Sequence, residues 1–321
     1  VVDHEALRDA IASGRVAAEG IELSCRSLPV EEIFFRFIRF REWDVSELSM
    51  GRYVSLLSQG DTSFVAIPVF PSRMFRHSAI YIRRDGPIRA PRDLIGRRVG
   101  VPEWAQTAGI YVRGLLQHEF GLDLSAIEWV QAGIREAGRE EEVTVAPPSG
   151  IRLTRRTDRT LDEMLLAGEI DAVVSAHPPP SVEMGDPRVM RLFEDPIAVE
   201  AAYWRKTGIF PIMHTIAMRR EIFERHPWVA MNLLKAFETA KRCSVQRALE
   251  ATASRFPVPW IAEHARRARQ EFGEDYWPYG VAANSATLDA FLRYAAEQGV
   301  CRRLLTVDEL FPREVRAHFK I

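Results

Sequence analysis

The chain has 321 residues, 47% of them apolar and 27% charged, which is enough for two packed lobes and too apolar for a disordered protein. Forty-three basic and 44 acidic side chains leave a formal charge of -1, which removes the electrostatic reason to expect nucleic acid or an anionic membrane surface as partner. Cys25, Cys243 and Cys301 stand far apart with no C-x-x-C spacing, so neither a disulfide framework nor a zinc knuckle is expected.

The first 85 residues alternate strand-like and helical patterns. Ile21 to Arg26 reads as extended and Pro29 to Phe40 as a helix, with Glu31 and Glu32 in its favourable first turn and Ile33, Phe34, Phe37 and Ile38 on a core face. Asp44 to Ser49 reads as a short strand whose end carries Ser46, Glu47 and Ser49, followed by a helix from Gly51 to Leu57. Phe64 to Val69 is a buried strand punctuated by Pro68 and Pro71, and it opens into Ser72-Arg73-Met74-Phe75-Arg76-His77. Ser78 to Arg83 alternates as a strand and runs to Asp85-Gly86-Pro87, the expected crossing between lobes.

The next stretch is the most informative. A short helix is stopped by Gly96, Arg97 to Val101 is a buried strand, and Pro102-Glu103-Trp104-Ala105-Gln106 turns into an amphipathic helix from Thr107 to Glu119. In such a unit the first backbone amides of the helix attract anions, with Gln106, Thr107 and Trp104 beside them. Further strands are expected near Trp129, Leu153, Val173 and Met190, and a helix from Thr160 to Ala167. Gly133 to Pro148, dense in Glu and Arg, reads as a solvated loop. Asp171 to His177 is a strand that leaves His177 at its carboxyl end before a prolyl run, and Thr207 to Thr215, carrying Phe210 and His214, is the return crossing. Helices follow from Pro227 to about Leu249, Trp260 to Phe272 and Ser285 to Glu297.

The fold class expected is therefore α/β with two lobes. Asp93-Leu94-x-Gly96-x-Arg98-Val99-Gly100-Val101 resembles the second lobe of the type II periplasmic-binding-protein fold, in which each lobe is a doubly wound, mostly parallel sheet. Residues 1–87 and 210–321, with the C-terminal helices, would form one lobe and 88–209 the other, with the ligand cleft between them.

Six segments carry a closer likeness. Gly20 to Leu23, Phe40 to Ser49, Val65 to Ser78, Val99-Gly100-Val101-Pro102-Glu103 with Thr107-Ala108, Thr207 to Thr215, and Phe272-Gly273-x-Asp275-x-Trp277-Pro278-Tyr279-Gly280 together resemble the 4,5-dihydroxyphthalate decarboxylase family over nearly the whole chain. The resemblance implies conversion of 4,5-dihydroxyphthalate to protocatechuate and carbon dioxide, without a cofactor, and is compatible with a homo-oligomer. Members open with a strand ahead of the position of Asp3. Only Val1 and Val2 stand there in this chain, so a short first edge is expected.

Such a decarboxylation needs a proton delivered to the ring carbon that loses its carboxylate. His77, His177 and His214 fall at strand ends or crossings and titrate in the useful range, with His77 the first choice as acid. Arg73 and Arg76 lie within four residues of His77 and offer planar forks for carboxylates. Glu47 and Glu103, one in each expected lobe, are the candidate bases. Ser46, Trp104, Gln106, Thr107 and Phe210 complete the expected binding set, Trp104 as a face for a planar ring. A divalent metal held by Glu47, His77, His177 or Glu103 is the less favoured arrangement, because no H-x-H or H-E-x-x-H spacing occurs.

The competing reading is a solute receptor for an aromatic or heterocyclic acid, which needs the anion site but no proton donor. No apolar run reaches the roughly 18 residues of a membrane span. The opening Val1-Val2-Asp3-His4-Glu5 lacks the basic and apolar regions of a secretory signal, and with the cysteine pattern this favours the cytoplasm.

Overall fold

The computed structural model describes residues 1–2, 5–253 and 255–316. The strands are β1 (Val45–Ser49), β2 (Phe64–Arg73), β3 (Ile80–Arg83), β4 (Arg98–Val101), β5 (Glu128–Gln131), β6 (Arg152–Arg155), β7 (Ala172–Val174), β8 (Val189–Arg191) and β9 (Ile212–Arg219). They form two sheets, one in the order β1-β9-β2 and one in the order β6-β5-β4-β7-β3-β8. In the larger sheet β4 to β7 run parallel and β3 is antiparallel to β7 and β8. Its central strands are apolar on both faces: Val99 and Trp129 belong to the main core, while Val173 packs with Leu161, Met164, Leu165 and Ile170 in a second cluster.

The smaller sheet departs from the mostly parallel expectation. β1 and β2 point the same way but are not neighbours, since β9 returns from the other sheet and inserts between them antiparallel to both. The ladder of β2 with β9 also breaks between Ile67 and Ser72, where Pro68 and Pro71 have no N–H to give. The C-terminal Trp277 to Gly280 segment fills that break: Trp277 Nε1 donates to Phe70 O at 3.0 Å and Gly280 N to Pro68 O at 2.8 Å.

Two further expectations are corrected. The strand at Ile80–Arg83 belongs to the larger sheet, so the chain leaves the smaller sheet between Arg73 and Ile80. Asp85-Gly86 is a tight turn with Gly86 N on Arg83 O at 3.2 Å, and an alternating pattern reads the same in either sheet. Ile21 to Arg26 forms no strand among the described residues and is mostly exposed. Val1 lies along β1, its carbonyl accepting from Glu47 N at 2.8 Å, while Asp3 and His4 lie outside the described residues.

The helices Val30–Phe40, Met50–Ser58, Thr107–His118, Trp228–Leu249, Ile261–Phe272 and Ser285–Glu297 match their sequence patterns to within a residue or two. The last of them braces the helix Thr107–His118, with Tyr111 stacked on Phe291 at 5.0 Å between ring centroids. Among the described residues no helix is long and apolar enough to cross a membrane.

Candidate active site

A cavity of about 70 Å³ lies between the sheets, walled by Ser49, Met213 and His214 of the smaller sheet and by residues that follow strands of the larger one. Three helices begin at it: Val30, Glu31 and Phe34 come from the first turns of Val30–Phe40, Ser49 and Arg52 flank the start of Met50–Ser58, and Gln106 to Ala108 open Thr107–His118. Converging helix starts place partial positive charge and unpaired N–H groups around one volume, which favours an anion there.

β-Sheet register builds the most distinctive feature. Ser49 pairs with His214 and Glu47 with Ile216, so Glu47 and His214 are diagonal neighbours on one face of the sheet. His214 Nδ1 lies 2.6 Å from Glu47 Oε1. Glu47 is fully buried and the His214 side chain is 15% exposed at the cavity wall, with the Phe34 ring edge-on at 4.9 Å. An ionised carboxylate only accepts, so the pair puts the hydrogen on Nδ1 and makes Nε2 the nitrogen that gains or loses a proton.

The cavity's charges fall into three groups. Arg76 is half-buried, its Nε donating to Met213 Sδ at 3.1 Å. Burial lowers its pKa to about 10, which still leaves a cation at neutral pH. Among the described residues no carboxylate lies within ion-pair distance of it. Glu103, only 2% exposed, is clamped by Arg52 at 3.1 Å and by Arg139 Nε at 2.6 Å, and Arg52 also reaches Glu142 at 3.0 Å. Breaking such a buried pair strands a charge and costs about 3–5 kcal/mol. Glu31, by contrast, meets His177 Nε2 at 3.4 Å and Arg139 Nη2 at 3.5 Å with about half of each acid and histidine side chain exposed. Pairs of that kind contribute about 0–1 kcal/mol. The His177 contact, with help from Arg139, pulls the Glu31 carboxyl down to about 2, so it stays ionised.

Of the expected residues, Glu47 stands directly behind His214, and Arg76, Glu103, Gln106, Thr107, His177 and His214 line the cavity. Arg73 does not. Its guanidinium is spent on Phe210 O at 3.1 Å, Pro278 O at 2.7 Å and Asn284 Oδ1, between the rings of Phe70 and Phe210. His77, the first choice as acid, is also elsewhere: it is 2% exposed, packed edge-on against Phe193 and Tyr203, with Glu200 at 3.9 Å. Ser46 turns to its neighbour, Oγ donating to Glu47 O at 3.0 Å. Trp104 is a core ring against Trp129, its Nε1 on Gln298 O at 2.7 Å, and Phe210 stacks on Phe75 at 4.8 Å. The four residues named for a metal do not assemble, since His77 lies outside the cavity; among the described residues no group of three or more His, Cys, Asp and Glu is arranged to hold one.

Thr107 has a different task from the one expected. Its Oγ1 accepts from Gly51 N at 2.9 Å and meets Ser49 Oγ at 3.0 Å, which ties two helix starts together. Only glycine fits at 51, because a Cβ there would run into the Ala105 carbonyl. The amides of Trp104 and Ala105 are likewise taken, by Glu141 at 2.6 and 2.9 Å. The acidic stretch from Gly133 to Pro148 is therefore no freely solvated loop. Its charges are paired inward through Arg139, Glu141 and Glu142, which removes the like-charge argument for exposure.

Sequence reasoning missed Glu31, Arg52 and Arg139. Glu31 was fully accounted for as a first-turn acid, and Arg139 as one charge in a charged run. Arg52 carried a usable signal: it is a lone cation in a helix that is otherwise apolar or small, one turn past a strand end.

No protein-family model matches the chain. A 4,5-dihydroxyphthalate decarboxylase of Comamonas testosteroni is 38% identical over 312 residues, 97% of this chain and 94% of the relative. The chain belongs to the 4,5-dihydroxyphthalate decarboxylase family. A second member, from Pseudomonas putida, is 37% identical over 196 residues, 61% of this chain and 76% of that protein. Among solved structures, the periplasmic aliphatic sulphonate binding protein SsuA of Escherichia coli superposes with a TM-score of 0.55 at 12% identity, covering 98% of this chain and 97% of SsuA. The desulfurization enzyme DSZB gives 0.53 at 16% identity, covering 97% and 94%. The scaffold of this decarboxylase-family member is thus a periplasmic-binding-protein-like fold.

Proposed function

We propose that this protein releases carbon dioxide from 4,5-dihydroxyphthalate, the substrate in its relatives' names, leaving protocatechuate. The observation that carries the reading is the buried Glu47–His214 pair in the wall of a cavity that also holds Arg76. Sulphonate receptors of this fold have no need for a proton donor; a decarboxylase has.

In this reading His214, as imidazolium held by Glu47, gives its Nε2 proton to the ring carbon that bears the departing carboxylate. A ring electron pair forms the new C–H bond while the para hydroxyl pushes in its own pair and releases its proton. The C–C bond then breaks, its pair restores the aromatic ring, carbon dioxide leaves, and the phenolic oxygen takes a proton back. One proton is consumed overall. Positioned proton transfer of this kind supplies about 10²–10⁴-fold in rate. Arg76 takes the carboxylate that stays, because its planar, charge-assisted hydrogen bonds then hold the ring in place from substrate through product.

The cavity, about 70 Å³, has room for about two waters at about 30 Å³ each, so the cleft widens to admit a ring. The parts that separate are the two lobes expected from the sequence, adjusted so that β3 goes with the larger sheet. A cytoplasmic setting is in keeping with three free cysteines.

The test is direct. Purified protein incubated with 4,5-dihydroxyphthalate yields protocatechuate and carbon dioxide in equal amounts, and His214→Gln slows the yield about 10²–10⁴-fold while retaining binding. Tight binding without product in the parent protein would establish the receptor reading instead.

A further inference from the structure

Two of the carboxylates at the cavity, Glu47 and Glu103, are buried and held by short contacts, and neither can leave without stranding a charge. Glu31 differs in every respect. It is half-exposed, its two contacts are the long ones at 3.4 and 3.5 Å, and both reach it through the same oxygen, Oε1. It sits in the first turn of the helix Val30–Phe40, while its partners come from the far wall, His177 after β7 and Arg139 from the loop beyond β5. The side chain thus reaches across the cavity and places a carboxylate between an imidazole and a guanidinium.

We propose that Glu31 is a resident counter-anion which the second carboxylate of an ortho-dicarboxylate displaces from Arg139 and His177, and which returns when that carboxylate departs. This rests on the decarboxylase reading and deepens it. An incoming dianion sets one carboxylate on Arg76 and the other in the place of Glu31, so the site selects two adjacent carboxylates over one. When carbon dioxide is lost, His177 is left without an anion and Arg139 with Glu103 alone, and Glu31 swings back to both. The exchange offsets the cost of discharging a group held by Arg139 and expels the monocarboxylate product. A buried acid could not do this. A half-exposed one held by weak contacts can.

Glu31→Gln keeps the shape and removes the charge, and its exposed position makes it safe for folding. By calorimetry the variant binds phthalate up to about fivefold more tightly than the parent, the range a half-exposed ion pair supports, and binds benzoate unchanged. In turnover of 4,5-dihydroxyphthalate, KM and kcat fall together, the first because a competitor is gone and the second because nothing replaces the departing charge. An unchanged phthalate-to-benzoate ratio overturns the proposal, as does weaker phthalate binding, which would make Glu31 a strut of the cavity wall. Parent protein that turns nothing over defeats the decarboxylase reading and still leaves the binding ratio to decide this one.

Discussion

Arg73 and Arg76 are three residues apart, the first buried and the second half-buried, and both are lowered to about 10 by burial, yet they meet different surroundings. Arg73 meets three protein oxygens and two aromatic faces, so it knits the crossing segment to the C-terminal Pro278 and Asn284. Arg76 meets a methionine sulfur and a cavity. The two histidines divide the same way, His77 among aromatic edges and His214 on a buried carboxylate. What separates a structural cation from a ligand-binding one is how many of its donors the fold has already used.

Substitutions should break that division cleanly. The largest effect belongs to His214→Gln, which lowers kcat about 10²–10⁴-fold per folded molecule and also lowers the melting temperature, because buried Glu47 loses its imidazole partner, measured by product formation and melting. Arg76→Met comes next: kcat/KM falls about 10–100-fold, mostly through KM, as a charged hydrogen-bonding partner is lost to the substrate. Arg73→Met inverts the pattern. It costs about 3 kcal/mol of unfolding free energy by denaturant titration, since three acceptors lose their donor, while kcat/KM per folded molecule holds.

The smallest effect is pH-dependent. Burial lowers the His77 pKa from 6.5 to about 4, with Glu119 opposing, Glu200 at 3.9 Å and the Tyr203 ring against it. The unfolded chain therefore takes up the proton first. Stability is full above pH 6.5 and declines as pH falls toward 4, by at most about 3 kcal/mol. His77→Phe flattens that part of the stability curve, and a curve identical to the parent's would show that the ring is not kept neutral by the fold.

Much of the scaffold was legible. Gly96, the apolar run at 98–101 and the periodicity from Thr107 located a strand and helix to within a residue, because local pattern and tertiary burial agree there. The antiparallel β9 was not legible, since a strand's direction in its sheet leaves no trace in its own residues. Of the candidate residues, Glu47, Glu103, His177 and His214 follow from one rule, that strand ends carry chemistry, and they cluster at one cavity. Arg73 and His77 satisfied the same rule and sit elsewhere: the β2–β9 register shifts between Ile67 and Ser72, and no residue spacing records that. Glu31 and Arg139 were hidden by ordinary explanations that were sufficient in themselves.

β9 is hydrogen-bonded on both sides, by β1 and β2, and Glu47 and His214 sit on adjacent strands of that one sheet. Movement of one wall away from the other cannot pull them apart. In the proposed mechanism the proton donor is consequently preassembled before any substrate arrives, and the reorganisation that binding demands falls on the cationic side opposite. Amide exchange along 214–217 should rank among the slowest in the chain with or without ligand.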